Sequence, residues 1–138
     1  MQRKVVIDTN VYIEIFNNNK YSDQINWFKN ITYLAWPVLH ELWMGAKHKA
    51  EIKFLEDWGE TFARLNRLII PTSTTLFLIG QTCQKLRSKG KLDPVNPKHY
   101  SDITIALLAR QIGAVVLTQN KNDFKTIQSV VDFTCDFL

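Results

Sequence analysis

The chain has 138 residues, of which 46% are apolar and 12% aromatic, enough to bury a sizeable core, and this excludes a disordered polypeptide. No apolar run approaches the ~20 residues needed to cross a bilayer, which excludes a membrane-spanning helix. The 17 Lys+Arg outnumber the 13 Asp+Glu, and the net charge of +4 suits a nucleic acid or an acidic partner better than a basic one.

The N-terminal stretch MQRKVVIDTN carries too few apolar residues for a signal peptide, so a cytoplasmic protein starting at or near Met1 is expected. Residues 4–7 read as a buried strand, a short β-branched run that stops at Asp8. Asp8, Thr9 and Asn10 are helix-starting residues, and residues 11–13 and 15–16 continue as an apolar face until the asparagines at 17–19. Ser22 and Asp23 cap a second short helix reaching about residue 29. Residues 32–36 form a second strand, after which Pro37 opens a helix over 38–49. Phe54, Leu55, Trp58, Phe62 and Leu65 recur at helical spacing and mark a helix over 50–65, with Gly59 as its weak point. A short third strand at 68–71 precedes a helix over 74–88 that Gly90 stops. Residues 91–98 hold two prolines and no periodicity, and read as a loop. An amphipathic helix over 100–112 ends at Gly113, an apolar strand covers 114–118, a turn or helix cap covers 120–123, and a last strand covers 130–134.

No linker or repeat divides the chain, so residues 1–138 are expected to form one domain. The strands at 5–7 and 115–117 are apolar on both faces, and strands alternate with helices. That pattern predicts a mostly parallel α/β sheet covered by helices. In such sheets ligands bind beyond the carboxyl ends of the strands. Asp8 sits just past one such end, and Thr118, Gln119 and Asn120 lie at or past another.

Three acids fall in segments that are otherwise apolar or weakly polar. Asp8 follows Val5, Val6 and Ile7, where an ionised carboxylate needs a cation or hydrogen bonds to compensate for lost hydration; it also suits a helix cap. Glu41 shares a helical face with Val38, Met44 and Gly45, and reads either as a ligand or as a side chain reaching for water. Asp102 opens a helix whose next turns place Ile105, Ala106 and Ala109 on its side; favourable charge at a helix N-terminus explains it equally. The two cysteines, Cys83 and Cys135, lie in no CxxC pair or Cys/His array, so no zinc site is expected and both read as buried free thiols. His40, His48 and His99 have no spacing typical of zinc or of a triad and read as surface or structural residues.

The three acids lie in three of four blocks: VVIDTN at 5–10, VLHELWMGA at 38–46 and SDITIALL at 101–108, followed by GAVVLTQNKNDF at 113–124. These blocks, in this order, resemble those of PIN-domain proteins, and the size and spacing are most similar to the VapC toxins of bacterial toxin–antitoxin pairs. The resemblance spans nearly the whole chain. It implies a PIN-like three-layer α/β fold with a central sheet of about five strands and an acidic pocket at the strands' carboxyl ends. It further implies that Asp8, Glu41 and Asp102 are the catalytic residues and bind one or two Mg2+ or Mn2+ ions, as hard carboxylate ligands do. The implied activity is metal-dependent endoribonuclease cleavage of tRNA, rRNA or mRNA, leaving a 5′-phosphate and a 3′-hydroxyl and inhibiting translation. Implied partners are a cognate antitoxin and a second copy of the chain in a homodimer. Tyr12, Phe16 and Trp43 are candidates for the groove that takes the antitoxin's apolar tail.

The chain departs from the family at one corner. A fourth acid often stands two residues after the threonine of the last motif strand, and here that position is Asn120. Thr118 is expected to orient Asp8 or a water, Asn10 to support the site, and Asp123 to cap the segment starting at Phe124. The departure favours one metal over two and keeps open a non-catalytic PIN module that binds RNA or protein. Cleavage of flap-like DNA is disfavoured, because the chain lacks the length for added helical parts. Lys89, Lys91 and Lys98 flank the loop before Asp102 as candidate phosphate contacts, with Arg110, Lys121 and Lys125 behind them.

Overall fold

A computed structural model of the protein describes residues 2–138. Its centre is β1 (Arg3–Ile7), in which Val5, Val6 and Ile7 are buried. A strand with no polar face survives only where both faces are covered, which places it mid-sheet. β1 pairs in parallel with β2 (Asn30–Ala35) on one side and β4 (Val115–Thr118) on the other. β3 (Leu68–Ile69) extends the sheet beyond β2, and β5 (Thr134–Phe137) extends it beyond β4. The order is β3-β2-β1-β4-β5 and every pairing is parallel.

Helices make the crossovers. α1 (Thr9–Asn18) follows β1; α2 (Trp36–Gly45) and α3 (Lys49–Arg64) link β2 to β3; α4 (Ser73–Ser88) and α5 (Pro97–Ile112) link β3 to β4; α6 (Lys121–Gln128) links β4 to β5. After β1 the chain turns toward β2, whereas after β4 it turns toward β5. The connections that leave these two neighbouring strands therefore run to opposite sides, and that switch point leaves a crevice beyond the strands' carboxyl ends. α5 is the helix over the core: residues 102 to 109 are buried, and it packs against β1, β2, β4, α2, α4 and α6.

Several elements differ from the sequence expectation. Residues 22–29 form turns rather than a helix. Only Ile25 reaches the core there; the Asn26 carboxamide accepts from the backbone of Phe28 and Lys29, and Phe28 is 91% exposed. A segment with one buried anchor lacks the apolar face that would hold a short helix. β2 begins at Asn30, and Trp36 belongs to α2, which stops at Gly45 rather than continuing to residue 49. α3 runs unbroken through Gly59, whose missing side chain lets the helix approach Leu39: an added Cβ would stand 3.2 Å from its Cδ1.

α5 starts three residues early, at Pro97, because Asn96 caps it by accepting from Lys98 N at 2.9 Å. Lys98 is thus a helical residue and not part of a loop. The last strand is β5, displaced from the expected 130–134; Val130, Val131 and Phe133 instead pack on the core as a connection. Cys83 and Cys135 are free thiols, partly rather than fully buried.

Candidate active site

Asp8 is the first residue beyond β1, and its backbone N–H continues the ladder by donating to Leu117 O at 2.9 Å. The carboxylate is fully buried. Its Oδ1 accepts from Thr9 N at 2.8 Å, and its Oδ2 accepts from the Thr118 hydroxyl at 2.7 Å. It is therefore the cap of α1, but a cap held at the switch point by a side chain from the neighbouring strand. Thr118 in turn accepts from Asn120 N at 3.0 Å, so one hydroxyl ties the end of β1 to the turn after β4.

Asp102 lies in the second turn of α5 and is also fully buried. Its Oδ1 accepts from the Lys98 ammonium at 2.8 Å, four residues back on the same helix, and its Oδ2 accepts from Asn120 Nδ2 at 3.1 Å. Asn120 caps α6: its Oδ1 accepts from Asp123 N at 3.4 Å. That bond fixes the amide orientation, and Nδ2 is left to bridge Asp102 and Asp123, the latter at 3.0 Å. Asn120 thus presents hydrogens to the acids rather than a carbonyl. Asp123 does not cap a segment at Phe124; it sits in the first turn of α6 and joins the network.

Glu41, on α2, is reached through hydroxyls. Its Oε1 accepts from Thr9 Oγ1 at 3.1 Å and from Ser101 Oγ at 2.8 Å. Thr9 and Ser101 were not singled out from the sequence, although each directly follows or precedes one of the aspartates. Asn10 supports the turn after β4 by accepting from Gln119 N at 3.4 Å.

Burial pushes the Asp8 carboxyl above its ordinary value, against the opposing pull of Lys98, Thr118 and the Thr9 amide. Burial likewise pushes Asp102 up to about 6, opposed chiefly by Lys98. For Lys98 burial disfavours the charge, but Asp8, Asp102 and Glu41 outweigh it and raise the ammonium's pKa. The site asks for positive charge and takes it from a lysine. This donor set suits a hard divalent cation in chemistry: carboxylate oxygens, buried, with an ammonium standing in. Among the described residues, however, no three acidic, His or Cys side chains stand close enough to close around one ion as they are.

The remaining candidates separate. Lys98 joins the acids; Lys91 donates to Ser129 Oγ at 3.1 Å, and Lys89 ends α4. Arg110 lies in the last turn of α5, about 12 Å along the axis from Asp102. Lys125 lies over the Phe137 ring, and Lys121 opens α6 beside Asn120. His99 approaches Asp123, with Nε2 at 3.9 Å from Oδ2, a position its sequence context did not single out. His40 packs edge-on against Trp36 and His48 faces Glu51.

Beside Glu41 runs a groove of about 550 Å³, lined by Ile13, Phe16, Leu42, Phe54 and Leu55, with Glu41 and Glu51 on its walls. Of the three residues expected to form a groove only Phe16 lines it; Tyr12 is buried against Phe16 and Trp58, and Trp43 lies outside it. No helix among the described residues is long and apolar enough to cross a membrane.

No family model matches the sequence, and no curated protein matches it. Solved structures do match in fold. VapBC-1 from nontypeable Haemophilus influenzae aligns over 97% of both chains with a TM-score of 0.70 and 19% identity. VapBC2 from Rickettsia felis, bound to a DNA fragment from their promoter, aligns over 98% of both with a TM-score of 0.69 and 22% identity. DNA-bound VapBC from Salmonella typhimurium aligns over 99% of this chain and 98% of that one, with a TM-score of 0.69 and 24% identity. At these identities the likeness is one of architecture, and it agrees with the motif blocks: this chain has the PIN-like α/β fold of VapC-type proteins.

Proposed function

We propose that the protein is a Mg2+- or Mn2+-dependent endoribonuclease and the toxin of a toxin–antitoxin pair. The observation that carries this reading is the burial of two carboxylates, Asp8 and Asp102, at the switch point of a parallel sheet. Buried carboxylates gathered in a crevice, with pKa values raised by burial, are what functional sites concentrate. Asp8, Asp102 and Glu41 would hold the metal. When bound, such an ion polarises a phosphodiester and lowers the pKa of an attacking water, so no His or Lys general base is needed.

The chain's own residues supply the rest. Thr118 and the Thr9 amide keep Asp8 in one rotamer, and Asn120 holds Asp102 from the far side. Thr9 and Ser101 aim Glu41. The apolar groove beside Glu41 suits the tail of an antitoxin, and a basic residue on that tail would meet Glu41 and Glu51. The VapBC neighbours support a protein partner of this kind.

The test is incubation of the purified protein with total RNA in Mg2+ or Mn2+, with EDTA and Asp8→Ala as controls. Cleavage lost in both controls supports the reading; EDTA-resistant cleavage, or full activity in Asp8→Ala, overturns it. A second reading, a non-catalytic RNA- or protein-binding PIN module, draws on the Lys98–Asp102 pair and the absence of a ready-made cage among the described residues. Binding of RNA without cleavage in either metal would favour it.

A further inference from the structure

We propose that Lys98 is a built-in competitor of the divalent metal: its ammonium occupies the acidic centre of the metal-free protein, and metal entry requires it to swing out. The inference rests on the metal-nuclease reading and concerns how the site is gated.

Three observations carry it. First, both oxygens of Asp102 are already engaged, Oδ1 by Lys98 at 2.8 Å and Oδ2 by Asn120 at 3.1 Å. An ion approaching Oδ1 meets the Lys98 ammonium 2.8 Å from that oxygen, and bringing a second positive charge to the same oxygen is repulsive. Second, the two donors differ in freedom. Asn120 is pinned by its cap to α6 and by its bond to Asp123. The Lys98 side chain is 45% exposed, while the Asp102 side chain is 0% exposed. The lysine is the donor with freedom to leave, on a flexible stem that is 45% exposed. Third, the backbone predisposes the pair. Asn96 caps α5 and Pro97 fixes its first turn, so Lys98 and Asp102 stand one turn apart on one face. The lysine is therefore delivered to the acids by the helix and not by a mobile loop.

Once displaced, the ammonium sits at the rim of the crevice, where an RNA phosphate would replace the carboxylate as its partner. The lysine then acts as a positioning residue: it supplies one positive charge to the carboxylates and sets how much metal is needed to displace it.

The test is calorimetric titration of Mn2+ into the metal-free wild-type protein, Lys98→Met and Lys98→Arg. The expected result is Mn2+ binding at least ~10-fold tighter in Lys98→Met, a gain of ~1.4 kcal/mol, with Lys98→Arg close to wild type. Removal of a nearby charge would also tighten binding if lysine and metal coexisted, so a second readout is needed. Acetic anhydride labelling of Lys98 in the wild type, followed by peptide mass mapping, should rise several-fold when Mn2+ is added. Labelling that falls or stays constant on adding Mn2+ overturns the displacement, as does equal or weaker Mn2+ binding by Lys98→Met. If no variant binds Mn2+ the metal reading fails together with the inference; if Mn2+ binds and Lys98 is indifferent, the inference fails alone.

Discussion

Asp102 carries an electrostatic penalty at this site. Its carboxyl is raised by burial from 3.8 to about 6, so the folded protein binds that proton more tightly than the unfolded chain does. The sign follows: the stability linked to this proton is fully present below pH ~4 and is lost as pH rises through about 6. At pH 7 the metal-free protein keeps the ionised group at a cost. Asp102→Asn is therefore expected to gain about 1–3 kcal/mol relative to the wild type between pH 4 and pH 7, on top of a pH-independent loss from setting an amide NH2 against Lys98 or Asn120. Denaturant unfolding at the two pH values checks this; a difference from the wild type that is independent of pH would contradict it. The same variant is expected to lose cleavage, the usual opposition between stability and a strained site. Thr118 shows the reverse case. Its hydroxyl donates to Asp8 and accepts from Asn120 N, so Thr118→Val leaves a buried carboxylate oxygen and an amide unpaired. A loss of about 1–3 kcal/mol is expected by urea unfolding, with Thr118→Ser near wild type.

Among the elements, α5 matters most, since it carries Lys98, Ser101 and Asp102 at one end and hands the chain to β4 at the other. That hand-over uses Gly113 at φ +69°, with nothing within 4 Å of the place a Cβ would take. Gly113→Ala should cost about 1–2 kcal/mol through backbone strain alone, and Gly113→Asn less, as thermal melts would show. The same helix marks the limit of what the sequence revealed. Its buried body was legible from Ile103 onward because apolar residues recur at helical spacing. Its start was not, although Asn96-Pro97 is a cap followed by a proline suited to the first turn. Reading those two residues as loop put Lys98 in the wrong element and hid its four-residue spacing to Asp102. β1 and β4 were legible because both their faces are buried; β5 and residues 22–29 were not, because half-exposed segments carry no clean period. At the site, Asp8, Glu41 and Asp102 are picked out by the order of the motif blocks, since singly each also reads as a cap, a solvent-reaching side chain or a helix-terminal charge. Asn120 as a bridge, Asp123 in the network and the hydroxyls of Thr9 and Ser101 appear only once three crossovers bring distant segments together.

At the scale of the molecule, a net charge of +4 surrounds a centre of buried carboxylates. The basic surface favours approach of a polyanion, and the acidic centre favours a divalent cation that can lie between the two. The sheet order explains why both meet at one place: the connections after β1 and β4 run to opposite sides, and Asp8, Thr118 and Asn120 all stand where they separate. Hydrolysis of RNA through a metal, as proposed for this centre, differs from attack by the ribose 2′-hydroxyl in the ends it leaves. The most direct measurement is the chemistry of the product ends after single-turnover cleavage of a labelled RNA in Mg2+ or Mn2+. The expected ends are 5′-phosphate and 3′-hydroxyl, formed by the wild type and absent with EDTA or in Asp8→Asn. Products ending in 2′,3′-cyclic phosphate, or formed equally in EDTA, would contradict metal-dependent hydrolysis.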